Sequence, residues 1–126
     1  METNGRRILL AEDDRFLRRA CEASLRQRGF TVFTAGDGEE ALGLARAEVP
    51  DLILLDILMP KMGGLEALRA LKGDDRTRGI PVLILSNSSR EQDVAEAMSL
   101  GAVGYWVKAN LSLRELGERV AKHLEV

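Results

Sequence analysis

Four short segments of this chain end in side chains that handle charge. The run "ILLAEDD" closes on Glu12, Asp13 and Asp14. "LILLDILMP" drives Leu52, Ile53, Leu54 and Leu55 into Asp56 and stops at a proline, while "VLILS" ends at Ser86 and "YWVK" at Lys108. Carboxylates brought together resist full ionisation unless a cation shares their site. A hard divalent ion such as Mg²⁺ accepts carboxylate oxygens while keeping water and phosphate as its other ligands. A hydroxyl donates to an anionic oxygen, and a lysine is a point charge suited to phosphate. The acids therefore read as a Mg²⁺ site, with Ser86 and Lys108 placed for an anionic group beside it. Each residue alone has a plainer reading. Asp14 and Asp56 could cap helices or close turns, and capping is favoured for Asp14; a lone serine or lysine at a strand end is commonly structural or solvated. Their co-occurrence at one sheet edge turns the reading toward chemistry.

That edge follows from the elements. Short apolar runs, "RRILLA", "FTVFTA", "DLILL", "IPVLIL" and "VGYWV", alternate with segments of helical period, which gives five strands and five helices. Leu17, Ala20, Cys21 and Leu25 share one helical face, and Leu113, Leu116, Val120, Ala121 and Leu124 repeat that spacing near the end. Asp37 with Glu40, and Ser112 with Glu115, have capping-box spacing; Gly29 and Gly101 stand where helices end in glycine. Strands apolar throughout are buried on both faces, which requires a parallel sheet between two helical layers. The expectation is an α/β fold, a (βα)5 doubly wound parallel sheet of flavodoxin-like order 2-1-3-4-5, forming a single domain over residues 1–126. The half-polar second strand lies at an edge. Ligands of such sheets bind beyond the carboxyl ends of the strands where the winding reverses, here between strands one and three, which end in the acids.

Composition narrows the partners. Eighteen basic and 20 acidic residues leave a formal charge of −2, giving no support for a nonspecific grip on nucleic acid or anionic lipid. The start "METNGRRILL" lacks a long apolar stretch and nothing approaches a membrane span. Cys21 cannot form an internal disulfide; it reads as a small core residue in a reducing compartment. The chain is expected to be cytoplasmic, with no direct nucleic-acid contact and no membrane insertion.

From "ILLAEDD" through "DLILLDILMPKMGGLEAL" and "VLILSNSS" to "GAVGYWVK", the sequence resembles the receiver domain of two-component response regulators over nearly its whole length. The resemblance implies that Asp56 is the phosphoacceptor and that Glu12 and Asp13 are the acidic pair of the Mg²⁺ site, joined by the backbone carbonyl of Leu58. It also implies that Lys108 contacts the phosphoryl group, that Ser86 is the switch hydroxyl, and that Tyr105 is the ring that follows it, beside the plainer reading of Tyr105 as a core aromatic. Asp56 would attack phosphorus in line, taking the group from a histidine kinase or phosphotransfer protein. The surface of the fourth helix, fifth strand and fifth helix would then change to control a downstream effector protein. Such a chain is a signalling phosphoacceptor, not an enzyme with an external substrate; it promotes only its own phosphorylation and dephosphorylation.

Other classes fit less well. A haloacid-dehalogenase-type phosphatase would need a second aspartate where Leu58 stands, and "AEDD" would repel a flavin phosphate. A receiver-like module that signals by protein contacts without phosphorylation remains the alternative. The chain also departs from the family pattern. Glu12 replaces the commoner aspartate and reaches about one methylene further. Asn87 follows Ser86 where a small residue is usual, either crowding the phosphoryl group or donating to it. Leu58 and Ser88 are expected to flank the path of the hydrolytic water. Ala109 replaces the usual proline after Lys108, so this peptide bond is expected to be trans, with Asn110 absorbing the turn in a left-handed conformation and the lysine less tightly held. The chain ends soon after its fifth helix, so output is expected through a separate protein.

Overall fold

The computed structural model describes residues 5–125. Strands β1 (Arg7–Ala11), β2 (Thr31–Ala35), β3 (Leu52–Leu55), β4 (Val82–Ser86) and β5 (Gly104–Val107) alternate with helices α1 (Arg15–Gln27), α2 (Gly38–Glu48), α3 (Gly64–Lys72), α4 (Glu91–Ser99) and α5 (Leu113–Leu124). All pairings are parallel, in the order β2-β1-β3-β4-β5, so the expected topology is met. Successive residues of the central strands fill opposite cores. Leu9, Ala11, Ile53, Leu55, Val82 and Ile84 pack with Ala41, Leu42, Ala45, Ala67, Leu68, Leu71 and Ala97 of α2 to α4. Ile8, Leu10, Leu52, Leu54, Leu83 and Leu85 pack with Cys21 and Leu25 of α1 and with Leu116, Val120 and Leu124 of α5. Burial on both faces is why these strands are apolar throughout.

The helix ends are set locally. Asp14 caps α1, its carboxylate accepting from the amides of Phe16 and Leu17. Ser112 and Glu115 form a full capping box on α5. At α2, Asp37 accepts from the Glu40 amide, while Glu40 reaches one residue further back than a capping box requires, to the Gly36 amide at 2.8 Å. Gly29 and Gly101 follow α1 and α4 with φ of 94° and 106°, a region open to glycine without steric cost. Within the expected apolar face of α5, Leu113 is an exception, being exposed at the helix start. Cys21 is buried beside Leu25; desolvation pushes its thiol up to about 11, which makes it an inert core residue.

The start of α3 positions the loop after β3. Gly64 donates its amide to the Ile57 carbonyl at 2.8 Å, and a Cβ at Gly64 would overlap the backbone carbonyl of Asp56. Exposed Gly43, inside α2, would meet nothing within 4 Å. Gly64→Ala is therefore expected to lower unfolding free energy by about 1–3 kcal/mol through forced backbone displacement, and Gly43→Ala to raise it by about 0.5–1 kcal/mol through helix propensity. Urea unfolding of the two variants checks both signs.

Candidate functional site

The topology brings the carboxyl ends of β1, β3, β4 and β5 to one edge, where a cleft of about 300 Å³ is lined by Glu12, Asp13, Asp14, Leu17, Asp56, Leu58, Ser86, Asn87 and Lys108. Glu12 follows β1 and has its amide on the Ala35 carbonyl at 2.9 Å; Asp56 follows β3 and has its amide on the Ala11 carbonyl at 3.1 Å. Both acids thus continue the ladder by one residue, which fixes their backbones before their side chains enter the cleft. Glu12 and Asp56 are buried, whereas Asp13 is exposed. One carboxylate oxygen from each of the three lies within 4.8 Å of the others, a grouping that could hold a metal ion.

The central charge is the Lys108 ammonium. It donates to Asp56 Oδ2 at 2.8 Å and to Glu12 Oε1, with only 11% of its side chain exposed. Burial pushes the Glu12 carboxyl up, reinforced by the Asp56 charge and opposed by hydrogen bonds from Lys108 and the Asp14 amide. Burial pulls Lys108 down, but the hydrogen bonds and charges of Asp56 and Glu12 outweigh it and leave the ammonium above its ordinary value. Lys108 is thus a cation held between two acids.

Its peptide bond to Ala109 is trans, as expected, since no cis bond occurs among the described residues. The path beyond differs from expectation. Asn110 is not left-handed; Lys108–Asn110 form a 3₁₀ turn closed by the Leu111 amide on the Lys108 carbonyl at 3.1 Å. That turn keeps the residues in ordinary right-handed conformations, and the lysine is gripped from two sides, not loosened. The left-handed residue at this edge is instead Lys61, with φ of 66°, in the loop after β3.

Of the remaining expected residues, Ser86 is fully buried at the end of β4 and exposed Asn87 lines the cleft beside it. Leu58 stands at the rim, 69% exposed, its amide 3.4 Å from Asp56 Oδ1. Tyr105 and Ser88 do not line the cleft. Tyr105, half-buried against the α2–α4 core, donates its hydroxyl to the Ser88 carbonyl at 2.7 Å, and Ser88 turns its own hydroxyl to Asp93 of α4. Two residues of this region escape a sequence reading. Arg18 donates to the Glu12 carbonyl at 2.8 Å and the Asp13 carbonyl at 3.4 Å, bracing the acidic loop from α1; the only signal is an arginine one turn into the helix that follows the acids. Asp93 looks like an ordinary helix-surface acid, yet it is buried, and hydrogen bonds from Arg90 and Ser88 lower its carboxyl from the ordinary value.

Residues 8–121 match the response regulator receiver domain. The chain is 36% identical over 116 residues to the alkaline phosphatase synthesis transcriptional regulatory protein PhoP of Bacillus subtilis, which covers 92% of this chain and 47% of PhoP. It is similar to the chemotaxis protein CheY4 of Vibrio cholerae, with a TM-score of 0.85 at 28% identity over 93% of this chain and 97% of that one. It is also similar to the Mn²⁺-bound form of response regulator Rcp1, with a TM-score of 0.85 at 27% identity over 96% of each. The chain spans about half the length of curated relatives such as PhoP.

The Lys108 bridge makes a stability prediction. Lys108→Met leaves two buried carboxylates facing each other and is expected to cost about 3 kcal/mol, the low end for breaking a buried ion pair because the cleft is open to water. Lys108→Arg, which keeps the charge, should cost less than half of that. Urea unfolding in metal-free buffer measures both, and equal losses would contradict the electrostatic account.

Proposed function

The chain belongs to the response regulator receiver domain family, and on that premise we propose that Asp56 is its phosphoacceptor, taking the group from a phosphohistidine of a histidine kinase or phosphotransfer protein. The observation that carries this is Asp56 itself. It is buried beyond the end of β3 at the base of an open cleft, with the Lys108 ammonium 2.8 Å away and two further acids alongside. An Asp56 oxygen forms the new bond to phosphorus as the donor's nitrogen to phosphorus bond breaks, and that nitrogen retains the electron pair. Lys108 meets the charge on the transferred oxygens, and Ser86 supplies a hydroxyl from the next strand.

The donor set fits Mg²⁺: three carboxylates offer hard oxygens within 4.8 Å of one another, leaving other positions for water and phosphate. Glu12, Asp13 and Asp56 would hold the ion, joined by the backbone carbonyl of Leu58. When bound, Mg²⁺ would neutralise charge on the phosphoryl oxygens. The Mn²⁺ form of the similar Rcp1 supports a divalent ion here. Glu12 is already tied to Lys108 and the Asp14 amide.

Receiver domains are signalling modules, and the output assigned to this one is a change of the α4, β5 and α5 surface toward an effector protein. Relatives of twice its length include transcriptional regulators, which supports an output on gene expression. No helix among the described residues is long and apolar enough to cross a membrane, and the location proposed is the cytoplasm.

Incubation with acetyl phosphate and Mg²⁺ is expected to label the wild-type chain, and Asp56→Asn to abolish label while retaining the fold, since the amide is nearly isosteric but a very poor nucleophile. An unlabelled wild type would favour a module that signals by protein contacts alone. A second outcome concerns lifetime. Exposed, apolar Leu58 cannot hold a water in line with the phosphoaspartate, so Leu58→Asn is expected to shorten the lifetime by about tenfold through water positioning. Decay of label after removal of donor measures this, and an unchanged lifetime would refute it.

A further inference from the structure

Asp13 is the least anchored of the three acids at the cleft. Glu12 and Asp56 are buried, and their amides extend the sheet ladder. Asp13 stands one residue past that ladder, exposed, and its one hydrogen bond among the described residues is made through its carbonyl. The donor is Arg18. One guanidinium nitrogen, Nη1, donates to the Glu12 carbonyl at 2.8 Å and to the Asp13 carbonyl at 3.4 Å, so the two peptide groups that flank the Asp13 α-carbon share a single donor. The helix sets this reach. The Arg18 amide closes the first turn of α1 on the Asp14 carbonyl at 2.8 Å, and a helical side chain leans toward the N-terminus of its helix, here back over the loop that precedes it. Gly36, in the loop after β2, leaves the space open, since a Cβ there would lie 3.2 Å from Arg18 Nη1.

From this arrangement we infer that Arg18 is a positioning residue for the cation site: by holding both peptide groups of Asp13, it fixes the direction in which this exposed carboxylate leaves the backbone toward Glu12 and Asp56. The soft dihedrals between those two peptide planes are φ and ψ of Asp13. With both planes on one guanidinium, neither turns freely. The entropy of ordering this ligand is then met on folding and not when a cation binds. The charge of Arg18 acts in the opposite sense. A guanidinium near three carboxylates repels a divalent cation, so as a mere neighbour Arg18 would weaken binding and its removal would strengthen it. Ordering and charge therefore predict opposite signs. The bearing on Mg²⁺ rests on the reading of Glu12, Asp13 and Asp56 as its ligands; the ordering of Asp13 by Arg18 does not.

The first arm of the test needs no metal. Backbone amide relaxation at Asp13 and Asp14 is measured in wild type, in Arg18→Met, which removes the charge and keeps the stem, and in Arg18→Lys, which keeps the charge but is one bond shorter and lacks the planar fork. Asp13 should be less ordered in both variants, and order equal to wild type in both overturns the inference. In the second arm Mg²⁺ is titrated and followed by the amide shifts of Asp13 and Asp56, which report the folded chain alone, so a loss of stability leaves the reading intact. Affinity should fall about tenfold in both variants, the low end for a residue that orients a metal ligand. Unchanged or tighter binding in either variant overturns the inference. A double-mutant cycle identifies the route. In an Asp13→Ala background, Arg18→Lys should cost no further affinity, and a loss there as large as in wild type shows that Arg18 does not act through Asp13. A wild type whose amides do not respond to Mg²⁺ refutes the metal reading instead, and the relaxation arm then decides the ordering of Asp13 by itself.

Discussion

Two acids buried at the end of a parallel sheet are the constraint around which this molecule is arranged. Glu12 and Asp56 follow neighbouring strands whose residues from Ile8 to Ala11 and from Leu52 to Leu55 are buried, so neither can retreat to water by moving its backbone. Placing two carboxylates in such surroundings without a counter-charge is unfavourable by several kcal/mol per ion. The Lys108 ammonium between them resolves this, and it is delivered by the strand two places away in the sheet from the acid it bridges, β5 against β3. The same ammonium meets the demands of chemistry. A group that tolerates being shared between two carboxylates is equally suited to the oxygens of a phosphoryl group, because both present several acceptors and negative charge to a compact cation.

The sheet makes that delivery accurate. Each central strand contributes alternate side chains to two separate cores, so a one-residue slip would exchange the cores and also turn the terminal acid away from the cleft. Packing thus fixes the register of the site residues at no further cost. The glycine at the start of α3 extends the control to the backbone of Asp56, since α3 approaches so closely that no larger residue fits beneath the Asp56 carbonyl.

How far the sequence discloses this depends on whether a feature is set locally or by approach. The all-apolar runs identify β1, β3 and β4 as central, and the half-polar β2 as an edge, because burial on two faces leaves no alternation to read. The caps at Asp14, Asp37 and Ser112 are legible for the same local reason. The acids, Ser86 and Lys108 are legible because strand ends gather at one edge in this topology. Asn110 is where local propensity misleads: its tolerance of left-handed angles is not used, since a 3₁₀ turn closes the loop with standard geometry. Arg18 and Asp93 are hidden because their contacts arise only when α1 lies over the acidic loop and α4 comes beside the end of β4.

Two kinds of support meet at the cleft, and they differ in stiffness. Glu12 and Asp56 hang from strands whose amides are paired within the sheet, and they stay put. Ser88 hangs from a loop and is held only by hydrogen bonds, each worth about 0.5–1.5 kcal/mol net, or about 1.5–3 where the partner is charged. Hydrogen bonds of that size can be exchanged one at a time, whereas the packing of β3 cannot. The loop after β4 is therefore the softer of the two supports of the cleft, and the sheet that holds the acids the stiffer. The difference lies in which hydrogen bonds are single and which are part of a ladder.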